Sequence, residues 1–525
     1  MRSIISYQGR NALRNASRWK CRAPCAAIRW SSSEDRQWST PLAKQLSEAI
    51  TATGPTPLAS FMRMCLTSDV GGYYTSKQDG RDQFGQKGDF ITSPEISQVF
   101  GELIGIWFVA EWMAQGRKSK GVELVEIGPG RGTLMDDMLR TIRNFKPMAS
   151  SIEAVYLVEA SPALREAQKQ LLCGDAPITE TSIGHQSISK YANIPIIWTE
   201  NIRFVPSGKF LYGTSRHHLT RDLDQDKTPF IVAHEFFDAL PIHAFQSIPP
   251  PPLNSESTIQ TPTGSHPLSP SAAKKEAQKG PQWREMVVSP APPPPTVGTS
   301  SSDSAPEFQL TLSSAPTPHS LYLPAISPRY RAILSQAPGS VIEISPESLA
   351  YASTIATLIG GSSSSTTPSS TFTSAKRTPS GAALILDYGP SSTIPINSLR
   401  GIHKHKHVSP FSMPGLVDLS VDVDFTALAE AAVNASEGVE VHGPVEQGAF
   451  LQAMGIKERA EMLLGKIKGD TDADENRKRI DTAWKRLIDR GGSGMGKVYK
   501  AMAIVPESGG TRKPVGFGGD VDSSA

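Results

Sequence analysis

The run Glu123-Leu-Val-Glu126-Ile-Gly128-Pro-Gly130-Arg-Gly132-Thr-Leu joins an apolar stretch ending in a carboxylate to a glycine-rich turn. Glycines let a backbone pass close to a ligand where any Cβ would collide. A dinucleotide loop reads G-x-G-x-x-G, with a third glycine or alanine for helix packing. Here that third place is Thr133 and the spacing is G-x-G-x-G, the form seen in S-adenosylmethionine (AdoMet) enzymes. The next apolar run, Val155-Tyr-Leu-Val-Glu159, ends on a second carboxylate, an ionised acceptor suited to both hydroxyls of a ribose. Glycine turns also serve structural roles, and NAD binding is the alternative. Acid, glycine loop and second acid together are far more specific than any one of them. The expected cofactor set is Glu126, Gly128, Gly130, Gly132 and Glu159.

Other residues invite chemistry with less exclusivity. Glu235 and Asp238 follow an apolar run, on the edge where open α/β sheets bind ligands. A carboxylate there could grip a guanidinium bidentately. Glu235 suits that role, whereas Asp238 reads first as a helix cap before Ala239-Leu240. Asp89, Thr92, Ser93 and Glu95 precede a helix, with Ser93 as N-cap, Pro94 at N1 and Glu95 in the first turn. Capping and proximity to a ligand are both expected, with Thr92 and Ser93 counted towards the cofactor and Asp89 towards the substrate. Tyr73 and Tyr74 follow a Gly-Gly turn and fit core and substrate side equally well. His403, His405 and His407 alternate with lysines and have no acid or cysteine among them, so a solvated face outweighs a metal. Asp418, Asp422 and Asp424 read as turn and cap residues. Of the four cysteines, Cys21 and Cys25 lie near the N-terminus, while Cys65 and Cys173 are far apart. Neither a disulfide framework nor a metal site is expected.

The elements that must position these residues alternate in type. Apolar runs at Val122–Ile127, Ala154–Glu159, Ile194–Trp198, Phe230–Glu235 and Ala382–Tyr388 read as strands. Helical periodicity covers Ser97–Met113, Thr133–Phe145 and Pro162–Leu172. This predicts an α/β doubly wound, Rossmann-like parallel sheet with helices on both faces. Helices from Pro41 precede it, and Val498–Val505 is a plausible last strand. The chain divides into 1–33, a core from 41 to 246, a span 247–310 of insertions around short strand islands, the rest of the domain at 311–505, and a loose tail at 506–525. Ser247–Gly280, Ser289–Ser304 and Gly360–Gly381 are rich in Pro, Ser, Thr or Gly and predict disordered insertions. The islands His243–Gln246, Trp283–Val288 and Phe308–Ser313 suggest a meander with enlarged loops.

Charge separates the N-terminus from the rest. Lys and Arg total 53 against 51 acids, yet seven basic residues and no acid precede Glu34; without those seven the balance is 46 to 51. Spaced arginines among Ile4, Leu13, Trp19 and many serines make a mitochondrial presequence, with cleavage expected near Ser31. The mildly acidic body gives no support for nucleic-acid binding. No apolar run reaches about 18 residues, so no membrane span is expected.

Several longer motifs then align with one family. They are Gly71-Gly-Tyr73-Tyr74-Thr, Gly88-Asp89-Phe-Ile-Thr92-Ser93-Pro94-Glu95-Ile-Ser-Gln98, Leu157-Val-Glu159-Ala-Ser161-Pro162 and Glu235-Phe-Phe-Asp238-Ala-Leu-Pro241. Leu386-Asp387-Tyr388-Gly389, Pro414-Gly415 through Asp424-Phe425, and Gly443-Pro444-Val-Glu-Gln447-Gly448 complete the series. From about Pro41 to Val505 the chain resembles the MidA family of mitochondrial complex I assembly methyltransferases. The resemblance implies a class I AdoMet fold, a matrix location, and methylation of an arginine on a core complex I subunit during assembly. It also associates His405 with the substrate side, among the catalytic candidates Glu235, Asp238 and His405. The chain departs from the family in having His234 where Asn is usual, and in its distended hairpin region. Methylation of another acceptor, or an AdoMet-binding scaffold without catalysis, are the competing expectations. The fold alone does not separate them, and the oligomeric state is not legible.

Overall fold

The computed structural model describes residues 36–75, 91–205, 227–249, 258–261, 264–267, 280–292, 306–334, 338–361, 378–467, 473–492 and 494–518. The main sheet has nine strands. In chain order they are Val122–Ile127 (β1), Ile152–Val158 (β2), Thr179–Thr181 (β3), Gly184–Ile188 (β4), Pro195–Thr199 (β5), Thr228–His234 (β6), Ala382–Tyr388 (β7), Val439–Glu446 (β8) and Tyr499–Pro506 (β9). Their spatial order is β8-β9-β7-β6-β1-β2-β5-β4-β3. β7, β6, β1, β2 and β5 run parallel. The flanks are antiparallel, β4 on β5, β9 on β7 and β8 on β9, so the expected parallel sheet is the centre of a mixed one.

Every residue of β1 is buried, as a central parallel strand covered on both faces requires. Alternate side chains enter two cores. Val122 and Leu124 pack with Gln98–Ala114 and Thr133–Ile142, while Val125 and Ile127 face Pro346–Gly360 and Phe425–Ala435. From β1 the chain builds outward through β2 to β5, then returns to lay β6 against the other side of β1. That reversal opens a crevice at the carboxyl ends of β1 and β6, where sheets of this kind bind ligands.

A second layer adds two smaller sheets, of which the three-stranded one lines the crevice through Arg400, Ile402, His407 and Asp418. Thr56–Pro57, Gln282–Pro290, His243–Ile248 and Val341–Ile344 form an antiparallel sheet, with Phe308–Leu312 paired to Gln282–Pro290. This is the expected meander. Arg400–His403, Lys406–Val408 and Asp418–Ser420 make a further three-stranded sheet. Helices Pro41–Thr53 and Leu58–Thr67 pack their apolar faces onto both through Leu42, Leu46, Phe61 and Cys65.

Three boundaries need correction. Ser247 and Ser289 are buried within strands of the meander, and Thr258–Thr261 pairs with Gly264–Pro267, so the span read as insertion carries more strand than composition suggests. The tail is ordered to 518: Trp107 donates its indole N–H to the Val515 carbonyl at 3.0 Å, Phe517 packs on Phe450, and Arg512 meets Glu111 at 2.8 Å. A buried glutamate and two buried aromatics required partners that no local periodicity reveals. Ser93 is the first residue of its helix and Thr92 the N-cap, one position earlier than expected, with the Glu95 carboxylate accepting the Thr92 N–H at 3.3 Å. The expected presequence, 1–33, and residues 362–377 lie outside the described residues.

Candidate active site

A cavity of about 640 Å³ occupies the crevice at the carboxyl ends of β1 and β6. One wall is the glycine loop. Gly128, Gly130 and Gly132 all have positive φ, at 67°, 52° and 84°. A Cβ at Gly128 would sit 2.7 Å from the Phe236 ring, and one at Gly132 would press on Gln168 at 3.3 Å. The loop thus needs glycine for its own turn and for the approach of neighbours. Gln168, wholly buried on Pro162–Cys173, donates to the Gly130 carbonyl at 2.6 Å and to a Glu159 carboxylate oxygen at 3.2 Å. Its own oxygen accepts the Trp198 N–H at 3.0 Å. One amide therefore ties the loop to the second carboxylate.

Both expected cofactor acids line the cavity. Glu159 accepts the Ser161 N–H at 2.7 Å, and burial pushes its carboxyl up to about 7. Burial holds Glu126 well above the ordinary carboxylate range, although the Met135 N–H pulls the other way. Its Oε2 has no hydrogen-bond partner among the described residues. An orphaned buried acceptor at a glycine loop fits a ligand that brings its own donor. Thr92 lines the cavity as well, whereas Ser93 is buried outside its lining.

The opposite wall is assembled from distant segments. Glu235, directly after β6, has φ 49°, a left-handed conformation that costs a residue with a Cβ about 1–3 kcal/mol. Burial drives its carboxyl well above the ordinary range, Asp238 adds to this, and the Ser93 N–H offsets part of it. Its Oε1 has no hydrogen-bond partner among the described residues. His234 Nε2 stands 3.4 Å from that oxygen, a distance that would suit an ion pair. Burial lowers the imidazole to about 3, so His234 is neutral and no ion pair forms.

Asp238 is not a helix cap. Its side chain accepts the Tyr388 hydroxyl, and burial pushes its carboxyl up to about 6. Below both, Asp387 accepts three successive backbone N–H groups, from Phe236, Phe237 and Asp238, at 3.2, 2.9 and 3.3 Å. This clamp holds the turn that presents Glu235. Arg400 lies over the Tyr388 ring at 4.5 Å and pairs with Asp422 at 2.7 Å. Tyr74 donates to Asp418 at 3.0 Å, which makes Asp418 a cavity residue, while Asp424 does cap Phe425–Ala435.

The remaining expectations divide. Tyr74 lines the cavity; Tyr73 is buried in the core behind it. His405 sits exposed at the hairpin tip between Arg400–His403 and Lys406–Val408, outside the cavity lining, and His407 lines it instead. Asp89 lies outside the described residues. Sequence reasoning missed Gln168, Arg400 and Tyr499, which lines the cavity with its ring 5.2 Å from that of Tyr388, and assigned no role to Asp387 or Tyr388. The Leu386-Asp387-Tyr388 motif was the one signal available for the last two.

The comparisons agree with this geometry. Residues 103–445 match the model of a family of S-adenosyl-L-methionine-dependent methyltransferases. The chain is 34% identical over 469 residues to the mitochondrial protein arginine methyltransferase NDUFAF7 homolog of Drosophila melanogaster, covering 89% of this chain and 85% of the relative. It is 32% identical to the human mitochondrial protein arginine methyltransferase NDUFAF7, with 89% and 84% covered. A Burkholderia thailandensis protein crystallised with S-adenosyl-homocysteine shares the fold, with a TM-score of 0.56, 20% identity, and 91% and 92% of the two chains covered.

Proposed function

The chain belongs to this family of AdoMet-dependent methyltransferases, and from that premise we propose that it methylates an arginine side chain of a protein, a core subunit of respiratory complex I during assembly, in the mitochondrial matrix. The observation that carries the reading is Glu235: a buried carboxylate in a strained backbone conformation, with an unengaged oxygen, opposite the glycine loop. Strain of this kind persists where surrounding structure over-determines it, here through Asp387, and it clusters at functional sites.

Glu126, the Gly128–Gly132 backbone and Glu159 would hold AdoMet, with Glu159 accepting from the ribose. The cofactor supplies a methyl carbon on a cationic sulfur, so transfer is an in-line displacement that depends chiefly on alignment. Glu235 and Asp238 form the slot for the guanidinium, drawing its charge towards the nitrogens that do not react. Neutral His234 adds no repelling charge. The attacking nitrogen must lose a proton. Burial favours the protonated Glu235 in the empty site, the guanidinium charge favours the ionised form, and the free Oε1 of that carboxylate, more basic than one in water, accepts the proton. Tyr388 fixes Asp238, and Arg400 sets the position of Tyr388.

Methyl-peptide mass spectrometry of complex I subunits tests this, comparing cells with the wild-type chain, without it, and with Glu235→Gln. An arginine methylated with the wild type and unmodified in the other two is expected. Normal complex I assembly with Glu235→Gln, in cells where no subunit arginine depends on the chain, would replace catalysis by a scaffold.

A further inference from the structure

The meander carries a second cluster of ligand-competent side chains, outside the cavity. His243 lies on His243–Ile248 and Glu285 on the neighbouring strand, where Glu285 pairs with Phe245. Residues two apart share a face of a strand, so the two side chains are diagonal neighbours. His319 comes from the short helix Pro318–Tyr322, whose N-cap Thr317 donates its hydroxyl to Glu285. His243 Nδ1 is 2.7 Å from Glu285 Oε1, and His319 Nδ1 is 3.4 Å from Oε2. The two imidazole centroids are 4.2 Å apart, and one ligand atom from each residue lies within 4.8 Å of the others.

We propose that His243, Glu285 and His319 bind a divalent transition metal ion of the zinc class. Two imidazoles and one carboxylate are a donor set that such an ion prefers over magnesium or calcium, which take oxygen ligands. With bonds of about 2.0–2.1 Å, tetrahedral ligand atoms lie roughly 3.3 Å apart. The 2.7 and 3.4 Å contacts set one imidazole nitrogen beside each oxygen of Glu285, and one ligand atom per residue falls within 4.8 Å of the others, so small side-chain rotations reach that spacing. The ion takes the place of the contact between His243 Nδ1 and Glu285 Oε1: a neutral His243 then carries its one proton on Nε2, and an imidazolium gives its extra proton to solvent. Glu285 is fully buried, while the His319 side chain is 45% exposed, which gives the ion an entry path and leaves one position for water. The ligands come from three segments far apart in the chain, so the ion would tie the helix at Pro318–Tyr322 to the sheet.

The test uses the untagged chain, stripped with a chelator and titrated calorimetrically with Zn²⁺, then with Co²⁺ followed by visible absorption. One equivalent should bind, and Co²⁺ should give the ligand-field bands of a four-coordinate nitrogen and oxygen site. His319→Ala, at a half-exposed position, should weaken Zn²⁺ binding by at least ~10-fold while AdoMet affinity stays unchanged. A His405→Ala/His407→Ala variant should bind as the wild type does. Absence of saturable binding would overturn the proposal, leaving a hydrogen-bonded cluster. So would Zn²⁺ binding unaffected by His319→Ala, or lost in the His405/His407 variant.

Discussion

The two walls of the cavity are built by opposite strategies. On the glycine-loop side, each functional group lies within a few residues of a strand end. Its geometry is set by backbone and by one amide, that of Gln168. On the facing wall, Glu235 and Asp238 depend on Asp387 and Tyr388, about 150 residues later, and beyond these on Arg400 and Asp422. The first wall presents positive-φ glycines and acids that each meet backbone donors. The second concentrates carboxylates whose burial and mutual repulsion raise them together. A cofactor of fixed shape suits a site written contiguously in the chain; a protein substrate suits one assembled from the layers that grip it.

The sharpest test of this division is Glu235→Gln. It keeps the shape of the side chain and removes the negative charge and the base. Methyl transfer to a protein arginine, followed with labelled AdoMet, should fall by roughly 10²–10⁴-fold, with cofactor affinity by calorimetry nearly unchanged. Loss of cofactor affinity would dissolve the distinction between the walls. Gly128→Val should do the reverse. A branched Cβ at φ 67°, 2.7 Å from Phe236, should destabilise the loop by roughly 3–5 kcal/mol from strain and overpacking together, and cofactor affinity should fall as the loop loses its shape. Gly130→Val, at φ 52°, should act in the same direction.

Glu159→Ala should weaken AdoMet by roughly 1.5–3 kcal/mol, the scale of hydrogen bonds to a charged group. Retained affinity would show that the ribose is held elsewhere. The same carboxylate sets a pH dependence with two opposite signs. Its folded-state value of about 7 lies above the ordinary value of 4.5, so its contribution to apo stability is complete below pH 4.5 and is lost as pH rises through 7. Ribose binding needs the ionised form, so cofactor affinity should rise over the same window. Between pH 6 and 8, the thermal shift produced by AdoMet should grow as the apo midpoint falls. Glu159→Gln should flatten the growth of the shift.

How much could be read beforehand follows the same line. The central strands, the glycine loop and the place of Glu126 and Glu159 at the cavity were legible because each rests on a local pattern: an apolar run, a turn, a carboxylate at its end. Glu235 was legible as a residue at a strand end, but not its backbone strain, which comes from the Asp387 clamp. Asp238 was misread as a cap because local sequence does favour capping there; Tyr388, brought beside it by strand pairing, decides otherwise. His405 and His407 are indistinguishable in an alternating run until the hairpin turns one towards the cavity. The ordered tail and the His243, Glu285 and His319 cluster join residues whose only common feature is their place in the fold.

The smallest expected effect concerns the segment that separates the parts of the second wall in sequence. Residues 362–377 are mostly Ser and Thr. Its base is closed without it: the Ser380 N–H donates to the Ile359 carbonyl at 3.0 Å, joining the end of Pro346–Gly360 to the approach to β7. Replacing these residues by a four-residue Gly-Ser link therefore leaves Asp387 and Tyr388 in register with β6. Two halvings of loop length change closure entropy by about 1.2 kcal/mol in favour of folding. The thermal midpoint should rise slightly, and AdoMet affinity and methyl transfer should both persist. If transfer alone collapsed while cofactor binding stayed intact, the insertion would belong to the protein-gripping wall, and the second side of the cavity would extend beyond the residues named here.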